Sequence, residues 1–310
     1  MAYFLGIDGG GTKTRCVLAD ETTVIAKSMT GGCSVIRHGE HQAKEALHSA
    51  IRQVCGAGKI SPDRISAVCI GATGAARPEI ADKIRSILSQ IVPGPAAARI
   101  EVVGDHVIAL EAAFGTGPGV MAIAGTGSIV YGRNAEGKTA RAGGWGFAVS
   151  DEGSGYWIGR RAISAIFTAR DGGCKTALES MVLHAWKLTG IDELVQHANS
   201  TPPPDFPRLF PLVLSVAEKG DDTARGLLVE AGVELAKLAA VVVRRLAPSA
   251  PLDAMPGALL PIATTGSVSR QSPDVRQVFY NTLQANFPGI EVRQDLADPV
   301  EGALARARRM

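Results

Sequence analysis

Apolar and polar positions along the first third of the chain switch between the spacing of strands and the spacing of helices. Residues 4–7 and 15–18 are short apolar runs typical of strands, and residues 24–28 are a third candidate. In this order they predict an antiparallel meander. Residues 38–55 carry apolar side chains three and four positions apart, which predicts an amphipathic helix.

The same alternation continues toward the C-terminus. A short buried strand at residues 67–70 is followed by a helix at 78–91, and a strand at 100–103 precedes another helix. A long helix with an Ala, Val and Leu face is predicted at 222–246, and a last helix at 299–309. Because strands and helices alternate, the sequence predicts an α/β fold in which helices cover at least one face of a sheet.

Glycine-bearing turns follow three apolar strands. They lie at residues 9–12, 125–128 and 266–267. Since the opening arrangement of strand, glycine turn and strand returns from Val120 onward, we interpret the chain as an internal duplication of two related halves. Downstream of the second turn, a helix is predicted to begin at Ser150 or Asp151.

Turns of this composition suit a phosphate ligand. Glycine permits positive φ angles and close approach of a ligand, and consecutive backbone N–H groups form an anion-binding concavity. One such turn alone is equally consistent with a plain hairpin, but three of them predict a nucleotide site. A Walker loop is excluded because GGGTKT runs into a strand rather than a helix, and a Rossmann fingerprint fails for the same reason.

Charge and cysteine content exclude several classes of protein. The 310 residues are 46% hydrophobic and carry a net charge of only +2, without a basic stripe for nucleic acid. The five cysteines lack a CxxC pair, which argues against a disulfide framework or a zinc site. No apolar run reaches the ~18 residues of a membrane span, and the first lacks a basic leader. We therefore expect a cytoplasmic two-domain protein with no nucleic-acid or membrane partner.

Five motifs, in order, carry a resemblance to a known family. GIDGGGTKT, GDHVIAL, AIAGTGSIVYG, GGWGFAVSDEGSGYWIG and TTGSV resemble the N-acetylglucosamine kinase group of the BadF/BadG/BcrA/BcrD ATPase family. The resemblance runs from residue 4 to about 305. It implies a two-domain actin-like ATPase fold, a duplicated ribonuclease H-like unit with a cleft between the domains. The first domain would comprise residues 1–111 with 297–310, whose last helix packs back, and the second residues 112–296.

The resemblance also implies a function and two central carboxylates. ATP would donate its γ-phosphate to a hydroxyl, O6, of N-acetylglucosamine, glucosamine or a related hexose, with Mg²⁺ as cofactor. Asp8 would hold the Mg²⁺ through water; the alternative is a carboxylate that makes turn hydrogen bonds. Asp105 would be the catalytic base that accepts the sugar hydroxyl proton, although it is also placed to cap the following helix. Neighbouring His106 is interpreted as structural.

The other implied contacts fall into a nucleotide side and a sugar side. A small-molecule sugar is the expected partner, and a homodimer stays open. Lys13 could equally be a solvated lysine that does not contact phosphate. Glu152 is interpreted as supporting the start of a helix. The nucleotide side comprises Gly9, Gly10, Gly11, Thr12, Lys13, Gly125, Thr126, Gly127, Ala217, Gly266 and Ser267, and the sugar side comprises Thr73, Asp105, Ser128, Trp145, Gly146 and Asp151.

Two departures from the family pattern leave the sugar open. An asparagine that would hold sugar hydroxyls is replaced by Ser34 or Val35, and a second, after GTGS, is replaced by Ile129. Thr73 stands where the family has a sugar-contacting serine. An unmatched hydroxyl in a dry pocket costs about 1–3 kcal/mol, so these replacements could weaken or shift recognition of the sugar.

Two functions of other classes stay open beside the kinase. The family includes ATPase activators of acyl-CoA reductases and dehydratases, which need a cysteine pair near a subunit junction for an iron–sulfur cluster. The cysteines of this chain are dispersed instead. A non-catalytic sugar sensor is the other alternative, but Asp8, Asp105 and both phosphate turns are intact and no DNA-reading module is attached.

Overall fold

The computed structural model describes residues 1–95, 99–247 and 260–310. Strands and helices alternate along most of that length. The strands are β1 (Tyr3–Gly9), β2 (Lys13–Ala19), β3 (Val24–Gly31), β4 (Ile65–Ala72), β5 (Ile100–Gly104), β6 (Gly119–Ala124), β7 (Ser128–Arg133), β8 (Thr139–Gly143) and β9 (Ile262–Thr265). The helices are α1 (Val35–Gly58), α2 (Pro78–Ile91), α3 (Asp105–Phe114), α4 (Gly155–Asp171), α5 (Ala177–Trp186), α6 (Ile191–Ala198), α7 (Phe210–Glu218), α8 (Asp222–Leu246), α9 (Ser267–Gln271), α10 (Pro273–Asn286) and α11 (Pro299–Arg309).

The chain divides into two compact units. The first unit consists of Met1–Met121 together with Ala297–Met310, and the second of Ala122–Leu296. The sequence predicts the boundary at residues 111 and 112, and these domain limits stay a prediction. Among the described residues, no helix combines the length and the apolar character needed to cross a membrane.

The first unit is built on a five-stranded sheet in the order β3-β2-β1-β4-β5. β1 pairs antiparallel with β2, and β2 antiparallel with β3, which confirms the predicted meander. β4 and β5 extend the sheet in the parallel direction from β1. The parallel strands require crossover connections, and α2 supplies one of them between β4 and β5.

Side chains of β1 alternate between the two faces of this sheet. Leu5 and Ile7 belong to a core that also contains the buried face of α1, for example Leu47 and Ile51. Phe4 points to the opposite face, where a second core includes residues of α3 and α11, for example Leu304. Because alternate side chains of a strand point to opposite faces, one apolar strand contributes to two cores. Helices therefore cover both faces of the sheet.

The last helix returns to the first sheet by very close packing. A Cβ atom on Gly6 of β1 would lie 2.5 Å from the backbone nitrogen of Leu304 in α11, and a Cβ on Gly302 would lie 2.0 Å from the carbonyl oxygen of Ile108 in α3. A side chain at either position would separate the elements. Small residues at these two sites thus set the distance of α11 from the sheet.

The second sheet repeats the strand order of the first in the order β8-β7-β6-β9. This corresponds to β3-β2-β1-β4 and is the arrangement expected of an internal duplication. The helix predicted to begin at Ser150 or Asp151 begins instead at Gly155, after the N-cap Ser154, which accepts a hydrogen bond from Trp157 N. The reason is that Asp151 has a φ of +74°, which is not a helical conformation.

The C-terminal helix is also held by a cluster of ion pairs. Glu111 of α3 is buried, and its carboxylate accepts hydrogen bonds from Arg309 at 2.6 Å and Arg306 at 3.4 Å. Arg306 also forms a bidentate pair with Glu101 of β5, and the hydrogen bonds from Arg306 hold the pKa of Glu101 below its usual value. Two arginines on one helix therefore neutralise carboxylates on two neighbouring elements.

We expect replacement of Glu111 by alanine to lower the free energy of unfolding by about 3 kcal/mol. The substitution removes the buried acceptor of two charge-assisted hydrogen bonds and leaves a cavity, although Arg306 keeps Glu101 as a partner and Arg309 is half exposed. Urea unfolding followed by circular dichroism measures the change. Glu136→Ala, at an exposed glutamate in the turn between β7 and β8, is the control and should change stability by less than about 0.5 kcal/mol. Equal effects of the two substitutions would contradict a clamping role for Glu111.

Candidate active site

The first glycine turn joins β1 to β2, and its carbonyl groups are held from outside. Gly9 O accepts a hydrogen bond from Thr73 N at 3.0 Å, and Gly10 O accepts one from Cys33 N at 3.2 Å. Within the turn, Gly10 N donates to the carbonyl oxygen of Lys13 at 3.0 Å. The turn that the sequence assigns to phosphate binding is therefore fixed to two neighbouring segments.

Close contacts with neighbouring protein atoms, and not positive φ angles, explain glycine at positions 9 and 10 of this turn. None of Gly9, Gly10 and Gly11 is among the glycines with positive φ. A Cβ on Gly9 would lie 2.6 Å from Cys33 Sγ, and one on Gly10 would lie 3.1 Å from the carbonyl oxygen of Lys13. Neighbouring protein atoms therefore account for glycine at positions 9 and 10, and the close approach of a ligand to this turn stays a prediction.

Asp8 lies directly before the turn, opposite Arg15 in the register of β1 and β2. Burial and the negative charge of Asp105 raise the pKa of Asp8 to about 6, while the Arg15 guanidinium acts in the opposite direction. Arg15 itself forms a bidentate ion pair with Asp298 at 2.5 and 2.7 Å. Because Arg15 pairs directly with Asp298, its positive charge compensates the negative charge of Asp8 only in part.

Asp105 is the first residue of α3, where β5 ends. Its Oδ2 accepts a hydrogen bond from the Thr73 hydroxyl at 2.9 Å, and its Oδ1 accepts one from His106 N at 2.9 Å. The His106 ring nitrogen Nδ1 lies 3.6 Å from the same Oδ1. Burial by itself would raise the pKa of Asp105, but the hydrogen bonds and charge of His106 and the hydrogen bond from Thr73 hold it below its usual value.

Two interpretations of this segment from the sequence change. Gly104, not Asp105, occupies the N-cap of α3, and it makes no side-chain cap. Asp105 therefore does not act as the N-cap. His106, taken as merely structural from the sequence, contacts the Asp105 carboxylate and stabilises its ionised form. A Cβ on Gly104 would lie 2.3 Å from His106 Cε1, so the ring packs tightly against the strand end.

The second glycine turn joins β6 to β7 in the second unit. Gly125 N donates to Gly127 O at 2.9 Å within the turn. The carbonyls of Gly125 and Thr126 accept hydrogen bonds from the first N–H groups of α4, those of Gly155 at 2.8 Å and Tyr156 at 3.1 Å. The start of α4 thus fixes the direction of this turn, because its otherwise unpaired N–H groups find their acceptors there.

Asp151 and Ser128 lie beside the second turn. Ser128 N donates to Asp151 Oδ1 at 3.2 Å, and the Ser128 hydroxyl donates to Glu152 O at 2.8 Å. A Cβ on Gly127 would lie 2.9 Å from Asp151 Oδ2, so a larger residue at that position would displace the Asp151 carboxylate. Burial raises the pKa of Asp151, although the bond from Ser128 opposes the shift.

Trp145 and Gly146 lie on the loop between β8 and α4. The Trp145 ring is 62% exposed, and the Arg141 guanidinium carbon stacks 3.9 Å from its centre. Gly146 has a φ of +100°, and its carbonyl accepts hydrogen bonds from Val149 N and Ser150 N. Trp145, which the resemblance places on the sugar side, therefore presents an exposed ring with a cation on one face.

The third glycine turn also packs against the second. Gly266 has a φ of +104°, and a Cβ there would lie 2.2 Å from Ala124 O, so glycine is required on both grounds. A Cβ on Gly125 would lie 3.8 Å from Ser267 Oγ. Ala217 is buried in α7, and its carbonyl accepts a hydrogen bond from Arg225 Nε at 3.1 Å. The second unit therefore brings two of the three predicted turns together.

The structure shows which residues lie at the positions where the family pattern has asparagines. Ser34 is the N-cap of α1 and accepts a hydrogen bond from Arg37 N, and Val35 is buried. Ile129 packs against the backbone of Gly144, where a Cβ would lie 2.8 Å from Ile129 Cδ1. A capping hydroxyl and two apolar side chains therefore replace the polar groups that the family pattern places there.

Some residues of this site carried no recognisable signal in the sequence. Asp298 is 283 positions from Arg15, and no spacing rule connects them. His106 could have been found, because it directly follows a candidate base in GDHVIAL. Among the described residues, no group of three or more His, Cys, Asp or Glu side chains could hold a metal ion. A Mg²⁺ at Asp8 would hence take most of its ligands from water and phosphate oxygens, which Mg²⁺ accepts readily.

Comparisons with known proteins agree along nearly the whole chain. The model of the BadF/BadG/BcrA/BcrD ATPase family matches residues 5–306. The chain is 34% identical to an N-acetylmuramic acid/N-acetylglucosamine kinase from Clostridium acetobutylicum, with 99% of each protein covered. It is 30% identical to an N-acetyl-D-glucosamine kinase from Dictyostelium discoideum, with 98% of this chain and 97% of the relative covered. The crystal structure of a putative N-acetylglucosamine kinase from Chromobacterium violaceum superimposes with a TM-score of 0.77 at 28% identity over 98% of each chain. The α/β, actin-like fold class predicted from the sequence is confirmed.

We expect Asp8→Asn to stabilise the protein in the absence of ligand at pH 7.5. A carboxyl group whose folded pKa is about 6, above its unfolded value, contributes stability at low pH and loses it as pH rises through 6. At neutral pH the ionised Asp8 therefore destabilises the fold, and asparagine should raise the free energy of unfolding by roughly 1–3 kcal/mol. Urea unfolding in EDTA measures this.

The gain from Asp8→Asn should shrink as the pH falls from 6 and approach zero near pH 3, below the unfolded pKa of about 3.9, where Asp8 is mostly protonated in the folded and the unfolded state. Asp63→Asn, at an exposed aspartate before β4, is the matched control and should show no such pH dependence. An Asp8→Asn protein that is less stable than the parent at pH 7.5 would show that Asp8 is adequately compensated within the fold.

Proposed function

The chain belongs to the BadF/BadG/BcrA/BcrD ATPase family, and we propose that it is an ATP-dependent sugar kinase. It transfers the γ-phosphate of ATP to a hydroxyl group, O6, of N-acetylglucosamine, glucosamine or a related hexose. The sugar kinases among its relatives support the reaction class. The observation that carries the proposal is the Asp105 carboxylate, which Thr73 and His106 orient at the end of β5.

Asp105 acts on the acceptor hydroxyl. As the sugar oxygen attacks the γ-phosphorus, a new O–P bond forms, the bond from the γ-phosphorus to the bridging oxygen of ADP breaks, and the hydroxyl proton passes to Asp105. The low pKa of Asp105 keeps it ionised at neutral pH. It is therefore a weak base that contributes chiefly by position, which is what phosphoryl transfer with a loose transition state requires.

The phosphates are bound by the first glycine turn together with Asp8. Gly9, Gly10, Gly11 and Thr12 present backbone groups, and Lys13 adds a positive charge that lowers the pKa of Asp8. Asp8 would hold a Mg²⁺ through water, and the ion would supply neutralising charge for the β- and γ-phosphates. The raised pKa of Asp8 supports this assignment, because a cation would compensate the buried carboxylate.

In the second unit we assign the two packed turns to the nucleotide. Gly125, Thr126 and Gly127 bind phosphate, and Gly266, Ser267 and Ala217 lie on the adenosine side. We also assign sugar contacts to Ser128, Trp145, Gly146 and Asp151 of this unit and, separately, to Thr73 and Asp105 of the first unit. For Ser128 the hydroxyl oxygen is the candidate, as an acceptor, since the hydroxyl hydrogen donates to Glu152 O and the backbone N–H donates to Asp151.

The cysteines favour the kinase over an iron–sulfur activator. Cys16, Cys33, Cys55 and Cys69 are buried, and only Cys174 is exposed. Burial raises the pKa of each of the four buried thiols, which disfavours the thiolate form that binds iron. Free thiols also agree with a cytoplasmic location.

We expect Asp105→Asn to lower kcat by about 10²–10⁴ while the Kd for ATP stays within a few-fold of the parent. Asparagine keeps one oxygen, which can accept the hydrogen bond from His106 N, and its amide nitrogen can donate to the Thr73 hydroxyl, but it cannot take a proton. Coupled measurement of ADP release with saturating N-acetylglucosamine gives kcat, and calorimetric titration gives the Kd. Asp274→Asn, at an exposed aspartate of α10, is the control. A folded Asp105→Asn protein that keeps kcat within a few-fold would exclude the base assignment.

We expect the Mg²⁺ requirement to rise as the pH falls below 6. Protonation of Asp8, whose pKa is about 6, competes with Mg²⁺, so the Mg²⁺ concentration for half-maximal activity should approach about a tenfold increase per pH unit below 6. Asp105, with its low pKa, stays ionised in this range. Saturating Mg²⁺ should therefore restore turnover at pH 5.5. A requirement that is constant from pH 7.5 to 5.5, after correction for protonation of ATP, would argue against Asp8 as the metal-binding carboxylate.

A further inference from the structure

The imidazole of His38 reaches the first glycine turn from the first turn of α1. Its Nε2 lies 2.7 Å from the carbonyl oxygen of Gly11. Since a carbonyl oxygen only accepts hydrogen bonds, Nε2 carries the hydrogen and donates it. The two residues are 27 positions apart, so this is a tertiary contact.

With His38, the carbonyls of all three successive glycines are held by donors from outside the turn. Gly9 O accepts from Thr73 N, Gly10 O from Cys33 N, and Gly11 O from the His38 ring. The first two donors are backbone groups. The third is a side chain, and it can therefore be changed by substitution without altering the backbone.

The segment that carries His38 packs directly on the turn. A Cβ on Gly32 would lie 2.4 Å from Gly11 O and 3.0 Å from His38 Nε2, so only glycine allows this approach. On another side, the Arg37 side chain covers Gly11, where a Cβ would lie 3.7 Å from Arg37 Cδ. The end of β3 and the start of α1 thus form a wall behind the phosphate turn.

Holding a carbonyl also fixes the N–H group that follows it. The peptide unit is planar and trans, so the Gly11 carbonyl and the Thr12 N–H belong to one rigid group and point in opposite directions. A run of glycines has more conformational freedom to lose than any other sequence, so an unsupported turn would have to be ordered when phosphate binds. A turn that is ordered beforehand binds its ligand more tightly.

We propose that His38 is a positioning residue for nucleotide binding: by holding the Gly11 carbonyl it sets the direction of the Thr12 N–H and pre-orders the turn for the phosphates of ATP. This role rests on the proposed function only in assigning phosphate to the turn. It does not depend on which sugar accepts the phosphoryl group.

The test compares His38→Leu with His38→Gln. Leucine fills a similar volume and removes the donor, whereas the glutamine side-chain amide nitrogen reaches about as far as imidazole Nε2 and restores the donor. We expect His38→Leu to weaken ATP binding by about 5- to 20-fold, the loss of one well-placed hydrogen bond. His38→Gln should return the Kd to within about threefold of the parent. Calorimetric titration without sugar measures both values.

Adenosine separates positioning of the phosphate turn from general damage. It lacks phosphates, so its affinity should be the same in the parent and in His38→Leu, as measured by competition with a labelled nucleotide. His41→Leu is the matched control on the same helix, because the His41 side chain is 88% exposed. It should leave the Kd for ATP within twofold.

Three results would overturn the proposal: unchanged ATP affinity in His38→Leu, equal losses of ATP and adenosine affinity, or a glutamine variant as weak as the leucine variant. Failure of the kinase function is a separate outcome. If the parent binds ATP and the leucine and glutamine variants behave as expected, but no sugar is phosphorylated, the positioning role stands and the proposed reaction is wrong.

Discussion

The first unit depends on holding two like charges, Asp8 and Asp105, in largely buried surroundings. Burial and, second to it, the charge of Asp105 raise the pKa of Asp8, whereas Asp105 keeps a low pKa because His106 and Thr73 donate hydrogen bonds to it and His106 faces it. The two carboxylates therefore have pKa values shifted in opposite directions, which suits them to different roles. One is left in need of a cation, and the other is satisfied by hydrogen bonds and stays ionised.

The neighbouring elements make this arrangement possible. Asp8 ends an apolar stretch of β1, the central strand of the first sheet, and Asp105 follows β5 on the edge of the same sheet. Thr73, just beyond β4, lies between them in strand order and bonds both to Gly9 O and to Asp105. One residue thus ties the glycine turn to the proposed base. The helix α11 also packs against β1, and Gly6 allows this close contact.

Two departures from the family pattern fall at positions that the resemblance assigns to sugar recognition. The cap Ser34, the buried Val35 and the packed Ile129 leave few polar groups at positions where asparagines were expected. The exposed Trp145, with Arg141 stacked on it, and the buried Asp151 are among the residues of the second unit that we propose for the sugar side. Discrimination among hexoses would then rely more on shape and on a few charges than on a dense set of hydrogen bonds.

The sequence alone determined the α/β class, the meander, the long helix α8 and the final helix, because these follow from local periodicity and turn chemistry. Motif order also brought Asp8, Asp105 and the three glycine turns to notice. The N-cap at Gly104, the start of α4 at Gly155, and the partners His38 and Asp298 were decided only by the tertiary structure. Such contacts join residues far apart in the chain, and their energy depends on distance and burial, which no local pattern of side chains encodes.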